Sequence, residues 1–217
     1  MRDYKDVLIC TPVRDGRFHT GYVVGLMASN GLHNGWLPYS GQSDIYLARN
    51  VLTNAFLTQT RYQTMVCIDS DIGFSRQDLK DLLDSPGDVV SGLYTDKTQP
   101  PQPFCRDEHG NHVPHADIPA QGMIKSKLIP GGFFKVSRAV LEGIIAAGMV
   151  DHYGTGEKTV HSFYTTRYAT GDEGRYMASE DFSFSILMQE AGIQCWTNCG
   201  IRVNHDGREW NQVTNNE

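Results

Sequence analysis

Long apolar runs are missing from this sequence of 217 residues. No segment approaches the ~18 to 20 consecutive apolar residues that cross a bilayer, so a membrane span is not expected. The opening residues, MRDYKDVLICTPV, carry acidic side chains and lead straight into a strand-like stretch, which is not the pattern of a signal peptide. No internal repeat or linker divides the chain. We therefore expect one domain, 1–217, with a single sizeable core.

Cysteine and net positive charge are also scarce. Five cysteines at scattered positions leave one without a partner in any complete pairing scheme. This favours reduced thiols in a cytosol-like compartment over a disulfide framework. The formal charge of −6 gives no general attraction to nucleic acid or to an anionic membrane, although it leaves a local basic patch open.

The apolar pattern predicts strands that alternate with helices. Ser75 and Asp78 form a capping-box start for one helix, and Pro38 argues against a central position for the short strand that contains it. In chain order the predicted elements are a strand at 6–13, a helix near 19–29, a short strand at 36–41, a helix from 43, a strand at 64–69, a helix from 75 and a strand at 88–94. This order is typical of an α/β domain with a largely parallel sheet.

Two segments, 95–125 and 149–178, show no convincing period. Between them, LIPGGFFKVSRAVLEGIIAAG predicts a strand, a glycine pair, a second strand and a helix that ends at Gly148. Ser179 opens the next predicted helix, and one or two short strands follow it before a polar tail. Long irregular segments in a compact domain often carry function, so both are candidate functional segments.

Two aspartates follow a buried strand in VCIDSDIGF, at positions 69 and 71. Burial of charge is costly unless something pairs with it, and a cation is one such partner. A polar turn is the alternative, since Asp and Ser are ordinary turn residues. Ligands of an open α/β sheet bind beyond the carboxyl ends of its strands. Two carboxylates there suit Mg²⁺ or Mn²⁺ whose remaining ligands come from substrate phosphates.

A series of motifs resembles the GT-A glycosyltransferases, in particular family-two-like members that include short stand-alone enzymes of phages and large viruses. The motifs, in order, are DVLICTPV, LARN, CIDSDIGF, DVVSGLY, PGGFFKVSR, SEDFSFSILMQEAG and IRVNHDG. The resemblance covers roughly 7–207. It implies a Rossmann-like nucleotide-diphospho-sugar transferase fold, with a mixed, mostly parallel central sheet flanked by helices. The donor would bind to about 1–95 and the acceptor to about 96–207, with a polar tail at 208–217.

This resemblance also assigns metal and donor roles. Asp69, Ser70 and Asp71 are similar to the DxD motif, in which Asp71 would bind the metal directly and Asp69 would lie near the ribose or the metal. His205 matches a late histidine that completes the metal site, with Asp206 as the alternative. The metal, Mn²⁺ or Mg²⁺, would neutralise charge on the leaving nucleoside diphosphate.

Further donor contacts are implied for four residues in or next to the first two motifs. Arg49 matches an arginine that faces the nucleotide or its diphosphate, unless it lies on a solvated helix face. Thr11, Pro12 and Arg14 would line the nucleoside pocket. The donor is a nucleoside diphosphate sugar, with uridine favoured by the habits of the fold.

Catalytic and acceptor roles fall later in the chain. Glu180 and Asp181 resemble the family's catalytic Glu-Asp pair, in which the aspartate of inverting members takes the acceptor proton. Gly131 and Gly132 would open space beside the site, and Phe133 or Phe134 would form a sugar platform, unless the glycines mark a β-bulge and the phenylalanines belong to the core.

The acceptor itself is left open by the resemblance. A glycan, a hydroxylated base in DNA and a protein side chain all fit the resemblance to viral enzymes, and the segments 95–125 and 149–178 are candidates for acceptor specificity and for a lid. The expected location is the cytoplasm, which is the host cytoplasm if the protein is viral. The acidic charge disfavours broad duplex binding. Arg138, Arg167 and Arg175 could nevertheless line a basic groove.

Three other functions are alternatives to glycosyl transfer. A haloacid-dehalogenase-like phosphatase also has Asp-x-Asp after a strand, but on its first strand and without Gly73. A nucleotidyltransferase would need a glycine-rich loop that TPVRDGRF does not supply, and an inert binding module has no need of the motifs.

The spacing of His109, His112 and His115 lacks the partners of a structural zinc site. Cys195 and Cys199 lack CxxC spacing and are expected in the core.

Overall fold

The computed structural model describes residues 4–96, 101–171 and 174–205. Asp206 and the polar tail at 208–217 lie outside the described residues. The helices are α1 Thr20–Ala28, α2 Ile45–Gln59, α3 Arg76–Asp84, α4 Arg138–Ala146 and α5 Glu180–Glu190. The strands are β1 Val7–Val13, β2 Gly35–Ser40, β3 Thr64–Ile68, β4 Ile72–Gly73, β5 Val89–Leu93, β6 Met123–Ser126, β7 Phe133–Ser137, β8 His152–Tyr153, β9 Val160–His161, β10 Arg167–Gly171, β11 Gly174–Ala178, β12 Cys195–Arg202 and β13 Asn204–His205.

Seven strands form the central sheet in the order β2-β1-β3-β7-β5-β12-β6. β1 is parallel to β2 and β3, and β5 is parallel to β12. β7 runs antiparallel between β3 and β5, and β6 runs antiparallel to β12 at the edge. The predicted mixed, mostly parallel sheet is therefore confirmed. β2 forms the other edge, which is where its Pro38 costs no ladder hydrogen bond.

Helices cover both faces of this sheet. On one face, Leu52 and Phe56 of α2 pack with residues of α4 and α5, among them Leu141 and Phe184. On the other face, Tyr22 of α1 packs with the leucines of α3. Each strand of the centre is thus buried on both sides, which explains its continuous apolar sequence.

Local signals in the sequence fix several helix ends. The Ser75 hydroxyl accepts from the Asp78 amide while the Asp78 carboxylate accepts from the Ser75 amide, so the predicted capping box of α3 is confirmed. Arg138 is buried against the carboxyl end of α2, where it donates to the carbonyl oxygens of Phe56, Leu57 and Thr60. Those bonds satisfy carbonyls that the helix leaves open, so Arg138 does not line a basic groove.

Two asparagines of α2 order part of the segment predicted to be irregular. The Asn50 side chain donates to the Tyr164 carbonyl at 2.7 Å and accepts from the Tyr164 amide at 2.9 Å. Asn54 makes the same pair of bonds with His161. These two side chains pair with the backbone of residues 161–164 as a neighbouring β-strand would. Beyond them, β10 and β11 form an antiparallel hairpin that the sequence pattern did not predict.

All five cysteines are buried and free, including Cys195 and Cys199. Within the described parts of the chain, no helix is long and apolar enough to cross a membrane.

Candidate active site

The carboxyl ends of β1, β3 and β5 point to the same side of the sheet, where the antiparallel β7 has its amino end. Asp69 and Asp71 follow β3 at this edge, and Gly131 and Gly132 precede β7. Glu180 and Asp181, the first two residues of α5, lie at the same side through their contacts with Arg49 and Gly131.

The backbone of Gly131 and Gly132 connects these groups. The Gly132 carbonyl accepts from the Asp69 amide at 3.0 Å, and the Gly132 amide donates to the Tyr94 hydroxyl at 3.0 Å. The Gly131 amide donates to Asp181 Oδ2 at 3.3 Å, and its carbonyl accepts from Arg49 Nη2 at 3.0 Å. Two peptide units therefore position the turn after β3, the start of α5 and the arginine of α2.

Gly131 leaves no room for a Cβ atom, and Gly132 leaves little. A Cβ on Gly131 would lie 2.6 Å from Arg49 Nη1 and 2.9 Å from Asp181 Cβ, and one on Gly132 would lie 3.0 Å from the Tyr94 ring. The expectation that the glycine pair opens space is corrected here, because Arg49, Asp181 and Tyr94 fill that space. The glycines instead allow these side chains to approach the backbone.

Arg49 is almost completely buried and forms ion pairs with Asp69 and Glu180. Its Nη2 lies 2.9 Å from both carboxylate oxygens of Asp69, and Nη1 lies 2.6 Å from Glu180 Oε1. The expected position facing a diphosphate is therefore corrected, since the guanidinium lies beneath the site. Burial raises the pKa of both the Asp69 and the Glu180 carboxyl, and Arg49 opposes the rise in each case.

Asp71 and His205 lie next to each other because β4 pairs with β13, in a register that sets His205 opposite Ile72. His205 Nε2 is 3.5 Å from Asp71 Oδ2, and His205 Nδ1 is 2.8 Å from the Thr95 carbonyl oxygen. A proton on Nδ1 would be donated to that carbonyl. This arrangement is the one in which a metal-binding histidine is oriented by its second ring nitrogen.

A carboxylate and an imidazole fit a divalent cation that takes its other ligands from phosphate. Asp69 is committed to Arg49 and does not join them. In the described residues, no group of three or more His, Cys, Asp or Glu side chains is arranged to hold a metal. The geometry thus fits a site that is completed by its substrate and does not fit an all-protein cage.

Asp181 is half-buried in the first turn of α5. Its Oδ1 accepts from the Phe182 amide at 2.8 Å and from the hydroxyl of Ser179, and its Oδ2 accepts only the long bond from Gly131 among the described contacts. The Ser179 hydroxyl orients this carboxylate instead of capping the helix backbone.

Solved structures provide a comparison for this architecture. The chain superimposes on A197 from STIV with a TM-score of 0.57 and 15% identity over 92% of this chain and 84% of that one. The fold is the GT-A fold. GalNAc-T7 with UDP, GalNAc and Mn²⁺ aligns less well, with a TM-score of 0.49 and 12% identity over 94% of this chain and 45% of that chain. No protein-family model and no curated protein matches the sequence.

Within this GT-A fold the predicted nucleoside contacts separate into buried and exposed residues. Thr11 and Pro12 are buried within β1, where Thr11 Oγ1 shares a hydrogen bond with Tyr22 and accepts from Trp36 Nε1 at 3.2 Å. Arg14 is exposed beyond the strand end. The expectation that Thr11 and Pro12 line a pocket is not met. Trp36 is 41% exposed and lies above Thr11, which makes it the accessible aromatic surface at this end of β1.

Other predicted site residues belong to the core of the GT-A fold. Phe133 and Phe134 are buried, and Phe133 packs against Phe74 with ring centroids 5.6 Å apart. Neither presents a ring face to a ligand, so the sugar-platform hypothesis is wrong for both. The alternative stated for them, a place in the core, is the one observed.

Tyr94 and Thr95, which follow β5, belong to the site although no sequence motif assigned them a role. The Tyr94 ring lies 5.0 Å from the His205 ring and its hydroxyl accepts from Gly132, while Thr95 orients His205. Their position after a core strand was the only available signal. The histidines at 109, 112 and 115 form no metal group in the described chain.

Proposed function

We propose that this protein is a metal-dependent glycosyltransferase that moves a sugar from a nucleoside diphosphate sugar, UDP-sugar in the first instance, to a hydroxyl acceptor with inversion. One observation carries the proposal. The Asp181 carboxylate is bonded to Gly131, and the Asp71–His205 pair is linked to Gly132 through Tyr94, at the ends of the strands where open α/β sheets bind ligands.

The donor half would use residues 1–95 together with His205. Asp71 and His205 would hold Mn²⁺ or Mg²⁺ against the donor diphosphate. When bound, the cation would neutralise charge on the nucleoside diphosphate as it leaves. The base would stack on Trp36, whose ring contacts Phe18 with centroids 5.6 Å apart.

Asp181 would act as the general base of the acceptor half. Its Oδ2 would take the proton of the acceptor hydroxyl while the oxygen attacks the anomeric carbon. The bond from that carbon to the diphosphate oxygen breaks, and the nucleoside diphosphate keeps the electron pair. Ser179 and the Phe182 amide hold Oδ1, so the rotation that would turn Oδ2 away is opposed.

Glu180 would have a positioning role in place of direct proton transfer. Its carboxylate is paired with Arg49, which also holds Asp69. Arg49 would thereby fix the turn after β3 relative to the start of α5, and with it the distance between the metal ligand Asp71 and the base Asp181.

Thermal unfolding with a panel of nucleoside diphosphates and nucleotide-sugars, with and without Mn²⁺, tests the donor half. A ligand at about 100 times its dissociation constant stabilises by roughly 2.7 kcal/mol, which for this chain length is a rise in Tm of roughly 5–11 °C. We expect a manganese-dependent shift with one base that Asp71→Ala abolishes. Asp6→Ala is the control, because Asp6 lies at the amino end of β1, opposite to the strand ends that form the site. No shift with any nucleotide would favour an inert binding module.

Release of nucleoside diphosphate from the donor tests the base. Asp181→Asn keeps the shape of the side chain, so it should leave the donor-dependent Tm shift in place while it lowers the rate by roughly 100- to 10,000-fold. A variant with the wild-type rate would remove Asp181 from the mechanism.

A further inference from the structure

A cleft of about 830 Å³ lies against α5, the helix that carries the proposed base in its first turn. It lies between the turn at 106–112, the hairpin β10–β11 and α5. Among the residues that line it are Phe182, Ile186, Gln189 and Glu190 of α5. These share one face of the helix by their spacing. Phe182 directly follows Asp181, so the cleft starts one residue further along α5 than the base, and its far end at Glu190 lies about 12 Å from Phe182 at 1.5 Å per residue.

Positive charge is concentrated in this cleft although the whole chain carries a formal charge of −6. Arg106, Lys127 and Arg167 line it, together with two histidines. Glu190 is the one carboxylate among its described lining residues, and Glu190 Oε2 is paired with Arg167 Nη1 at 3.1 Å. Arg106 and Lys127 have no ion-pair partner in the described structure.

The carboxylate of Asp107, which follows Arg106 in the chain, is held by its own turn. Asp107 Oδ1 accepts from the amides of His109 and Asn111, at 2.9 and 2.8 Å, and the Asp107 carbonyl accepts from the Lys127 amide at 2.8 Å. This turn brings the backbone of Lys127 next to that of Arg106. Two cationic side chains therefore extend from neighbouring backbone segments into the same cavity.

Hydroxyl-binding and aromatic groups complete the lining. Asn111, Gln189 and Thr170 supply both donors and acceptors, and Tyr168 and Tyr176 come from the hairpin. Arg175 lies over the Tyr168 ring at 4.1 Å from its centroid, which holds that ring in place. A cavity of this volume is of the size that encloses one small ligand.

We propose that the acceptor is a phosphorylated saccharide, whose phosphate is bound by Arg106 and Lys127 while its free hydroxyl reaches Asp181. This rests on the proposed function and adds the chemical class of its acceptor. Arginine and lysine donors to phosphate make charge-assisted bonds that a neutral sugar cannot replace. The limited volume of the cleft and the acidic charge of the chain favour a small phosphorylated sugar over a nucleic acid strand, which requires an extended basic groove.

The experiment compares acceptors on the full-length protein with the donor found by the thermal panel. The acceptors are methyl hexosides, the corresponding hexoside 6-phosphates and a ten-residue thymidine oligonucleotide. The acceptor KM and kcat are measured from nucleoside diphosphate release, and acceptor binding is measured separately by calorimetry. We expect at least one 6-phosphate to have a KM roughly tenfold or more below that of its neutral partner, as one charge-assisted bond provides.

Arg106→Gln combined with Lys127→Gln should remove that advantage, raise the KM of the 6-phosphate and leave kcat unchanged. Lys125→Gln, on an exposed residue outside the cleft, is the matched control and should behave as wild type. Hydrolysis of the donor by water and the manganese-dependent Tm shift should be unchanged in the double variant, which shows that it is folded and that the donor half works.

Each other result overturns a definite claim. Absence of donor binding in the wild type would refute the proposed function itself. Donor binding without any gain from phosphate across the hexosides would refute the phosphorylated acceptor alone. Tighter binding of the oligonucleotide than of every hexoside phosphate, lost in the double variant, would replace the saccharide with nucleic acid.

Discussion

Arg49 shows at the scale of one residue how burial changes a role that residue type suggests. An arginine beside a DxD-like motif would be expected to bind phosphate, but here its side chain is 3% exposed and lies between two carboxylates. A buried ion pair adds little net stability when intact, whereas loss of one partner leaves an uncompensated charge. Arg49 therefore supports the site through the residues that it holds.

Replacement of Arg49 by methionine should lower the free energy of unfolding by about 3–5 kcal/mol at pH 7. The loss should shrink at pH 5. Burial already raises the pKa of Asp69 and Glu180, and removal of the cation raises both further, so the folded variant gains protons as the pH falls and becomes more stable relative to its unfolded state. Urea unfolding at both pH values measures this, with the exposed Arg14→Met as control. An equal loss at both pH values would exclude charge as its cause.

Gly131 offers a steric test at the same scale. Gly131→Ala would place a methyl group within 2.6 Å of Arg49 and 2.9 Å of Asp181, so we expect about 1–3 kcal/mol of destabilisation and reduced transfer activity. Gly143→Ala in α4, with nothing within 4 Å of the new methyl, should instead be neutral or stabilise by up to about 1 kcal/mol. Similar Tm values for the two variants would mean that the contacts around Gly131 are not tight.

The residues of the site differ in how far the sequence could reveal them. Asp69, Asp71 and the Glu180–Asp181 pair stand in motifs that are visible locally. The neighbourhood of Asp71 and His205 depends on the pairing of β4 with β13, which are far apart in the chain, and no local pattern reports such a register. Burial of Phe133 and Arg49 follows from packing across the sheet, which residue type alone does not determine.

At the scale of elements, α2 does more than pack on the sheet. Its buried Asn50 and Asn54 lie one turn apart and pair with the backbone of 161–164. Asn50→Ala would leave the amide and carbonyl of Tyr164 without these partners, at a cost of about 1–3 kcal/mol.

Hydrogen exchange of the Tyr164 and His161 amides distinguishes this local role from a general loss of stability. In Asn50→Ala we expect the Tyr164 amide to lose more protection than the amides of β3. Asn30→Ala, at an exposed position, serves as the control. Equal loss throughout the chain would mean that the segment is held by other contacts.

Elements with local or two-sided apolar signals were predictable, and those without were not. β1, the capping box of α3 and the edge position of β2 follow from short patterns. The hairpin β10–β11 was missed because the first four residues of β11 are exposed, so no alternation of buried and exposed positions marks it. The antiparallel direction of β7 could not be read either, because its apolar sequence suits a central strand of either direction.

At the scale of the whole molecule, the reactivity of the thiols measures how often the core opens to solvent. All five cysteines are buried, and burial raises the pKa of Cys67, Cys105 and Cys195 to about 12 and that of Cys199 to about 11. We expect a chromogenic thiol reagent to label the native protein only as fast as it opens, and to label five thiols at once in urea. Rapid labelling of any one thiol under native conditions would show that its part of the core is open.

The place of β7 between β3 and β5 also sets an order for synthesis. The chain emerges from the ribosome with β3 and β5 complete about 40 residues before the start of β7 at residue 133. At roughly 5–20 residues per second, this interval lasts about 2–8 s. During it the two strands have unpaired edges that can bind a neighbouring chain. The middle of the sheet therefore closes only after the long segment that follows β5 has been made, and the nascent chain depends on that delay being short.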